Sequence, residues 1–134
     1  MIYALDTNII SYILNGNAVL EKKLNAVISS GNNKIVIPLI VYYEARRGLL
    51  DNRAVRKMRS FDKLCVRLNV DSLTAADMDT AAVIYDNKKR AGTLIEDDDI
   101  LIAAQCVTNK YILVTNNVKH FDGIDGLNFE NWIA

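Results

Sequence analysis

Short apolar runs rich in β-branched residues recur along the chain, and longer segments with the spacing of amphipathic helices separate them. The runs predict strands at residues 2–5 (IYAL), 34–38 (KIVIP), 65–70 (CVRLNV), 111–115 (YILVT) and 127–132 (LNFENW). The intervening patterns predict helices at residues 7–14, 18–29, 39–50, 52–63, 74–92 and 99–108. Because strands that alternate with helices pair in parallel through right-handed crossovers, we expect one α/β domain over residues 1–134. It would be a three-layer α/β/α domain with a central parallel sheet of four to five strands.

Residues suited to helix ends support these boundaries. Thr7 or Asn8 is expected near the cap of the first helix. Asp99 is expected to be the N-cap of the apolar helix at residues 99–108. Thr74 begins a T-x-x-D capping box, and Gly92 lies just past the end of the same helix. Each of these residues therefore has a structural role available besides any chemical one.

The charge balance excludes a basic field over the whole molecule, but the charges are unevenly distributed. Lys and Arg total 16, and Asp and Glu total 16. Residues 44–67 contain eight basic and three acidic side chains, whereas residues 71–99 contain eight acidic and three basic ones. These segments are either solvated helix faces or a basic rim for a phosphate backbone beside an acidic metal site.

Neither the cysteines nor the hydropathy indicates a secreted or membrane protein. Cys65 and Cys106 lie in apolar surroundings without a C-x-x-C motif, so we expect buried free thiols in a reducing compartment. Asp6 interrupts the first apolar run, and no stretch approaches the roughly 20 apolar residues of a membrane span. The sequence therefore predicts a cytoplasmic protein without a membrane partner.

Three carboxylates are expected at one edge of the sheet. Asp6 ends the first strand, Glu44 lies two turns into the helix after the second strand, and Asp99 begins the apolar helix before YILVT. Carboxylates that converge raise one another's pKa values, and a hard cation such as Mg²⁺ relieves the repulsion. Such an ion can also neutralise charge on a phosphoryl oxygen, which suits phosphodiester hydrolysis. Glu96, Asp97 and Asp98 are rival ligands to Asp99.

Several enzyme classes lack support in the sequence. The chain contains no phosphate-binding G-x-x-x-x-G-K-[ST] loop, no dinucleotide G-x-G-x-x-G and no G-x-S-x-G nucleophile elbow. A haloacid-dehalogenase-like phosphatase would have a second Asp where this chain has Asn8. A receiver-like phosphoacceptor domain, with Asp71 after the third strand, lacks the acidic pair expected after the first strand.

Four segments together resemble the PIN-domain ribonucleases, specifically the VapC-type toxins of bacterial toxin–antitoxin pairs. The segments are LDTNIISYIL, PLIVYYEARRG, GTLIEDDDILIAA and LVTNNVKHFDGIDGLNFENW, and the likeness covers nearly the whole length. By this resemblance Asp6, Glu44 and Asp99 match the metal-binding acids, Thr7 and Asn8 support the first of them, and Thr115 and Asn117 occupy the closing active-site positions. Asp99 is chosen over Asp97 and Asp98 because it lies seven residues after Gly92.

The resemblance implies a PIN fold with strand order 3-2-1-4-5 and an endoribonuclease that depends on Mg²⁺ or Mn²⁺. It also implies an RNA substrate, a homodimer, and neutralisation by a cognate VapB-like antitoxin that alone contacts operator DNA. Transfer and messenger RNA both fit as targets. A PIN fold that binds RNA or protein without cutting is the alternative, favoured by Asn117, since many relatives have Asp there. Asp122 is a weaker candidate to replace that acid.

Further residues near these motifs have two readings. His120 is either a general base or, as we expect for a single loop histidine, a surface or packing residue. Trp132 is expected to seal the last strand against the core. Tyr42 and Tyr43 either pack or line a groove for a second copy or an antitoxin. Arg46 and Arg47 are either solvated or in contact with RNA phosphate or a partner.

Overall fold

A five-stranded parallel sheet forms the centre of the protein in a computed structural model that describes residues 1–133. The strands are β1 (Ile2–Leu5), β2 (Lys34–Pro38), β3 (Val70–Asp71), β4 (Ile112–Val114) and β5 (Asn128–Glu130). The helices are α1 (Thr7–Leu14), α2 (Ala18–Ser29), α3 (Leu39–Asp51), α4 (Val55–Leu68), α5 (Ala75–Arg90), α6 (Asp97–Asn109) and α7 (Val118–Phe121). The strand order is β3-β2-β1-β4-β5, which confirms the predicted order and the three-layer α/β/α class.

The central strand β1 pairs with β2 on one side and β4 on the other. Ala4 lies opposite Val36 of β2 and Leu113 of β4, and all three side chains are buried. Strands buried on both faces have continuous apolar runs, as IYAL and YILVT do. Because β1, β2 and β4 run in parallel, their carboxyl ends and the loops that follow them meet at one edge of the sheet.

Helix α6 is buried against the sheet, as its composition predicts. Six of its residues are buried: Ile100, Ile102, Ala103, Ala104, Gln105 and Cys106. A helix that is apolar on nearly every face is more stable when protein covers it on several sides than when it is exposed to water. This burial fixes the position of its acidic first turn relative to β1.

The predicted third strand at residues 65–70 is wrong for most of its length. Residues 65–68 continue α4, and only Val70 and Asp71 form β3. The buried residues Phe61, Leu64 and Leu68 follow the period of a helix, while the β-branched Val66 is 83% exposed. Helix α4 therefore spans Val55–Leu68 rather than the predicted 52–63.

Other predicted ends hold with small changes. Thr74 and Asp77 form the predicted capping box of α5, and Gly92 follows this helix with a φ of 72°. The N-cap of α1 is Asp6, and Thr7 and Asn8 are near the cap, as expected, as the first two residues of the helix. Asp99 is not an N-cap, because α6 begins at Asp97 and places Asp99 within its first turn.

Three further expectations concern the thiols, Trp132 and membrane-spanning segments. Both cysteines are free; Cys106 is buried, but Cys65 is only partly so. Trp132 is 8% exposed and packs against the Tyr3 ring at 5.3 Å between centroids, as predicted for the last strand. Over residues 1–133, none of the helices has both the length and the apolar character needed to span a membrane.

Candidate active site

Asp6 lies at the carboxyl end of β1 and is the first acid of the site. Its backbone amide donates to the carbonyl of Val114 at 2.9 Å, which ties it to the end of β4. Its Oδ1 accepts from the Thr7 amide at 2.8 Å, and its Oδ2 accepts from Thr115 Oγ1 at 2.7 Å. Only 5% of Asp6 is exposed, so this carboxylate is held in one orientation inside the protein.

Thr7 connects the first acid to the second. Its side-chain hydroxyl donates to Glu44 Oε1 at 2.6 Å, although 37 residues separate the two in sequence. Glu44 reaches this position because Pro38 ends β2 and α3 starts immediately after it, which directs the second turn of α3 towards α1. The hydrogen bond fixes one oxygen of Glu44 beside Asp6.

The first turn of α6 supplies the remaining carboxylates. Asp98 and Asp99 are partly buried there, whereas Asp97 is exposed. Asp98 is close enough to Glu44 to raise the pKa of that carboxyl, and Asp99 is close enough to Asp6 for their charges to interact. Acidic side chains at a helix N-terminus are stabilised by the helix dipole, which partly offsets their mutual repulsion. Asp98 is thus a site residue that the sequence suggested only as a rival to Asp99.

Residues after β4 complete the site. Thr115 is fully buried between Asp6 and the Asn117 backbone amide, which donates to its Oγ1 at 2.9 Å. His120 Nδ1 lies 2.7 Å from Asp99 Oδ2 and 2.8 Å from the side-chain amide of Asn117. With its proton on Nδ1 the ring donates to the Asp99 carboxylate, and in the other tautomer Nδ1 accepts from Asn117 Nδ2. His120 is exposed, as expected for a surface histidine, and its contact with Asp99 also brings it to the edge of the site.

Burial and mutual repulsion shift the protonation of two acids. Burial raises the pKa of Asp6, and the charge of Asp99 adds to this, while hydrogen bonds from Thr115 and Thr7 oppose it. Burial also raises the pKa of Glu44 to about 7, with further contributions from Asp98 and Asp6 against a lowering hydrogen bond from Thr7. Both groups therefore favour a nearby positive charge.

The donor set suits a hard cation, but the side chains are not arranged around one. Within residues 1–133, no three His, Cys, Asp or Glu side chains are placed so that they could hold a metal ion together. The reason is visible in the hydrogen bonds, since oxygens of Asp6, Glu44 and Asp99 point to protein donors. Each carboxylate oxygen has a second lone pair, and Asn8 Oδ1 is buried without a partner. The oxygen-rich composition of these side chains fits Mg²⁺.

Other residues singled out in the sequence lie in different surroundings. Asp71, the phosphoacceptor of the receiver-like reading, accepts from Gln105 Nε2 at 3.1 Å and from the Tyr111 hydroxyl at 2.8 Å. Asp122 is exposed at the end of α7, and its backbone carbonyl accepts from Lys88. Neither contact links these acids to Asp6 or Glu44.

Comparisons with known proteins agree with this geometry. A family model described as "PIN domain" matches residues 3–127. "Ribonuclease VapC2" of Rickettsia felis is 33% identical over 98% of both chains. The crystal structure of VapBC2 from Rickettsia felis bound to a promoter DNA fragment superposes with a TM-score of 0.91 and 30% identity, over 98% of this chain and 99% of that one.

A third comparison extends the likeness over the full length. The structure of VapBC-1 from nontypeable Haemophilus influenzae superposes with a TM-score of 0.89 and 26% identity, over 100% of both chains. The family model covers the segment from β1 to the residue before β5, and this segment contains every acid of the site. The chain therefore belongs to the PIN-domain family and, within it, to the VapC ribonucleases.

Proposed function

We propose that the chain is a metal-dependent endoribonuclease that acts in the cytoplasm as the toxin of a toxin–antitoxin pair and thereby inhibits translation. The observation that carries the proposal is the chain of contacts Thr115–Asp6–Thr7–Glu44, which joins the ends of β1 and β4 to α3. Asp98 and Asp99 of α6 lie near these hydrogen-bonded residues, Asp98 near Glu44 and Asp99 near Asp6. A buried set of acids lowers the stability of the folded protein, and a cost of this kind is typical of functional sites.

In this proposal Asp6, Glu44 and Asp99 hold Mg²⁺, or Mn²⁺ in its place. When bound, the ion supplies positive charge that stabilises the phosphodiester oxygens during hydrolysis. Thr7 and Thr115 keep Glu44 and Asp6 in position through the hydrogen bonds described above.

Asn117 and Thr7 are proposed to orient the attacking water or the RNA. The water oxygen forms a bond to phosphorus on the side opposite the 3′-oxygen. The bond between phosphorus and the 3′-oxygen breaks. One proton of the water passes to the leaving 3′-oxygen, and the other leaves with solvent. The products are a 5′-phosphate and a 3′-hydroxyl, and no protein side chain forms a covalent intermediate.

The proposed partners follow from the names of the similar structures. The neighbours from Rickettsia felis and Haemophilus influenzae are VapBC assemblies, and the first is bound to promoter DNA. We propose that a VapB-like antitoxin neutralises this chain, that the chain forms a homodimer, and that operator DNA is contacted only through the antitoxin.

Cleavage of purified RNA tests the proposal. With Mg²⁺ the chain should cut a transfer RNA, a messenger RNA or both, and the chelator EDTA should stop the reaction. Asp6→Asn and Asp99→Asn should each lower the rate at least 100-fold, the scale typical of losing one electrostatic group in an active site. Asp86→Asn is the matched control, because Asp86 is exposed and pairs with Arg90 on α5. If both site variants cleaved RNA in EDTA as fast as the wild type does with Mg²⁺, this mechanism would be excluded.

A non-catalytic PIN-fold binding module is the second candidate. Two observations favour it: the acids of residues 1–133 are not arranged around a metal, and position 117 has an amide in place of a carboxylate. The same assay separates the two functions. A binding module would retain RNA or protein in both Mg²⁺ and EDTA and would leave the RNA uncut in both.

A further inference from the structure

The exposed face of α3 carries an aromatic–arginine pair directly beside Glu44. Tyr43 precedes Glu44 and is 54% exposed. The guanidinium carbon of Arg47 lies 5.0 Å from the centroid of the Tyr43 ring, within the range of a cation–π contact. Residues four apart on a helix are neighbours, and these two side chains form one exposed aromatic–cationic pair.

Arg46, the neighbouring cation, is committed to the fold. It pairs with Asp62 of α4, and its guanidinium carbon lies 4.9 Å from the Tyr42 ring centroid and 5.6 Å from that of Phe61. These contacts join α3 to α4 and leave Arg46 little freedom to meet a ligand. Arg47 is exposed, and within residues 1–133 the structure records no salt bridge for it.

The Tyr43–Arg47 pair adjoins the acids. Arg47 is three residues after Glu44, and its charge is within interaction range of Glu44 and Asp98. Towards solvent the pair borders an open depression of about 820 Å³ that also includes Leu50, Asp51 and Arg53. The surface thus leads from the carboxylates outward along α3.

We propose that Tyr43 and Arg47 bind an unpaired RNA nucleotide next to the phosphodiester at the acids, with its base stacked on the ring or the guanidinium. This proposal rests on the proposed function and adds to it a position for a base beside the acids, formed by two named side chains of α3. Aromatic rings and arginine planes stack bases of any identity, and arginine also neutralises the adjacent phosphate. A paired base cannot reach such a surface, so the site selects loops and single strands.

Charge favours RNA over a protein as the occupant. Besides Arg46, whose charge Asp62 compensates, the depression is lined by two cations, Arg47 and Arg53, and one acid, Asp51. A phosphate backbone would compensate this excess. Leu39 and Leu50 are also exposed on α3, at 36% and 59%, so a second copy of the chain is the competing occupant that the experiment must separate.

Binding is measured by fluorescence anisotropy with a fluorescein-labelled 20-nucleotide single-stranded RNA and with the same RNA annealed to its complement. EDTA is present, so that affinity is read without cleavage. Tyr43→Leu and Arg47→Gln should each weaken single-strand binding about tenfold, the scale of losing one stacked base. Tyr43→Phe should bind as the wild type does, and duplex affinity should change less than twofold in both tyrosine variants.

Tyr85 provides a matched control, because it is exposed on α5 with Lys89 Nζ at 5.8 Å from its ring centroid. Tyr85→Leu should leave RNA affinity unchanged. Wild-type affinity in Tyr43→Leu overturns the proposal, and so does a change of molar mass in light scattering without a change in RNA affinity. If that variant binds RNA normally while the wild type still cleaves it with Mg²⁺, the stacking surface fails and the nuclease stands. If the wild type neither binds nor cleaves RNA, both proposals fail.

Discussion

Asp6 shows the conflict between stability and function at the scale of a residue. A carboxylate that is 5% exposed and interacts with Asp99 is a cost to the folded state. Asp6→Asn removes the charge, and the amide oxygen can still accept from the Thr7 amide. We expect the free energy of unfolding of this variant, measured in EDTA, to exceed that of the wild type by about 0.5–2 kcal/mol.

The pH dependence of this difference follows from the direction of the pKa shift. The pKa of Asp6 is raised in the folded protein, whereas the unfolded chain has the ordinary value of about 3.9. The folded state therefore holds the proton more tightly, and the wild type loses stability as pH rises through the folded pKa. In urea denaturation at pH 7.5, Asp6→Asn should have a higher free energy of unfolding than the wild type. The difference between the two should become smaller towards pH 4. A constant gap would contradict this origin.

The sequence locates the acids better than it locates their partners. Asp6 and Asp99 stand out because they lie at the ends of elements near the carboxyl edge of the sheet, and Glu44 because it lies two turns into the helix that follows β2. Asp98 was ambiguous, because adjacent acids in a helical first turn point in directions that depend on where the helix starts. His120 lies at the surface as expected, but its contact with Asp99 could not be predicted, because it depends on the four-residue helix α7, which is too short to leave a periodic pattern.

At the scale of elements, the start of α5 contributes to the packing of α6. Asp77 is fully buried; its Oδ2 accepts from the Thr74 amide at 2.9 Å and its Oδ1 from Asn109 Nδ2 at 3.1 Å. The Thr74 hydroxyl in turn accepts from the Asp77 amide at 3.2 Å. Thr74→Ala should lower the free energy of unfolding by about 1 kcal/mol, the usual cost of losing an N-cap.

Urea denaturation measures this cost, and Thr74→Ser, which keeps the hydroxyl, is the matched control. A loss as large in Thr74→Ser as in Thr74→Ala would show that the methyl group rather than the cap matters. Such caps are readable from local sequence. The end of α4 is not, because β-branched residues favour a strand locally while Phe61, Leu64 and Leu68 are buried only through packing in three dimensions.

At the scale of the whole molecule, the site couples distant parts of the chain through like charges. Asp6, Glu44 and Asp99 come from the end of β1, from α3 and from α6, so their repulsion opposes the packing of these elements on one another. Unfolding separates the acids and removes the repulsion. A cation that binds only the folded arrangement must therefore raise the stability of the entire domain.

Thermal unfolding with increasing Mg²⁺ tests this coupling. The gain follows the ratio of free ion to its dissociation constant and reaches about 2.7 kcal/mol at a hundredfold excess. The melting temperature of the wild type should rise with Mg²⁺, beyond the effect of NaCl at equal ionic strength. Asp6→Asn should begin at a higher melting temperature in EDTA and gain much less from the ion. Equal gains in the wild type and in Asp6→Asn would place the bound ion away from the site.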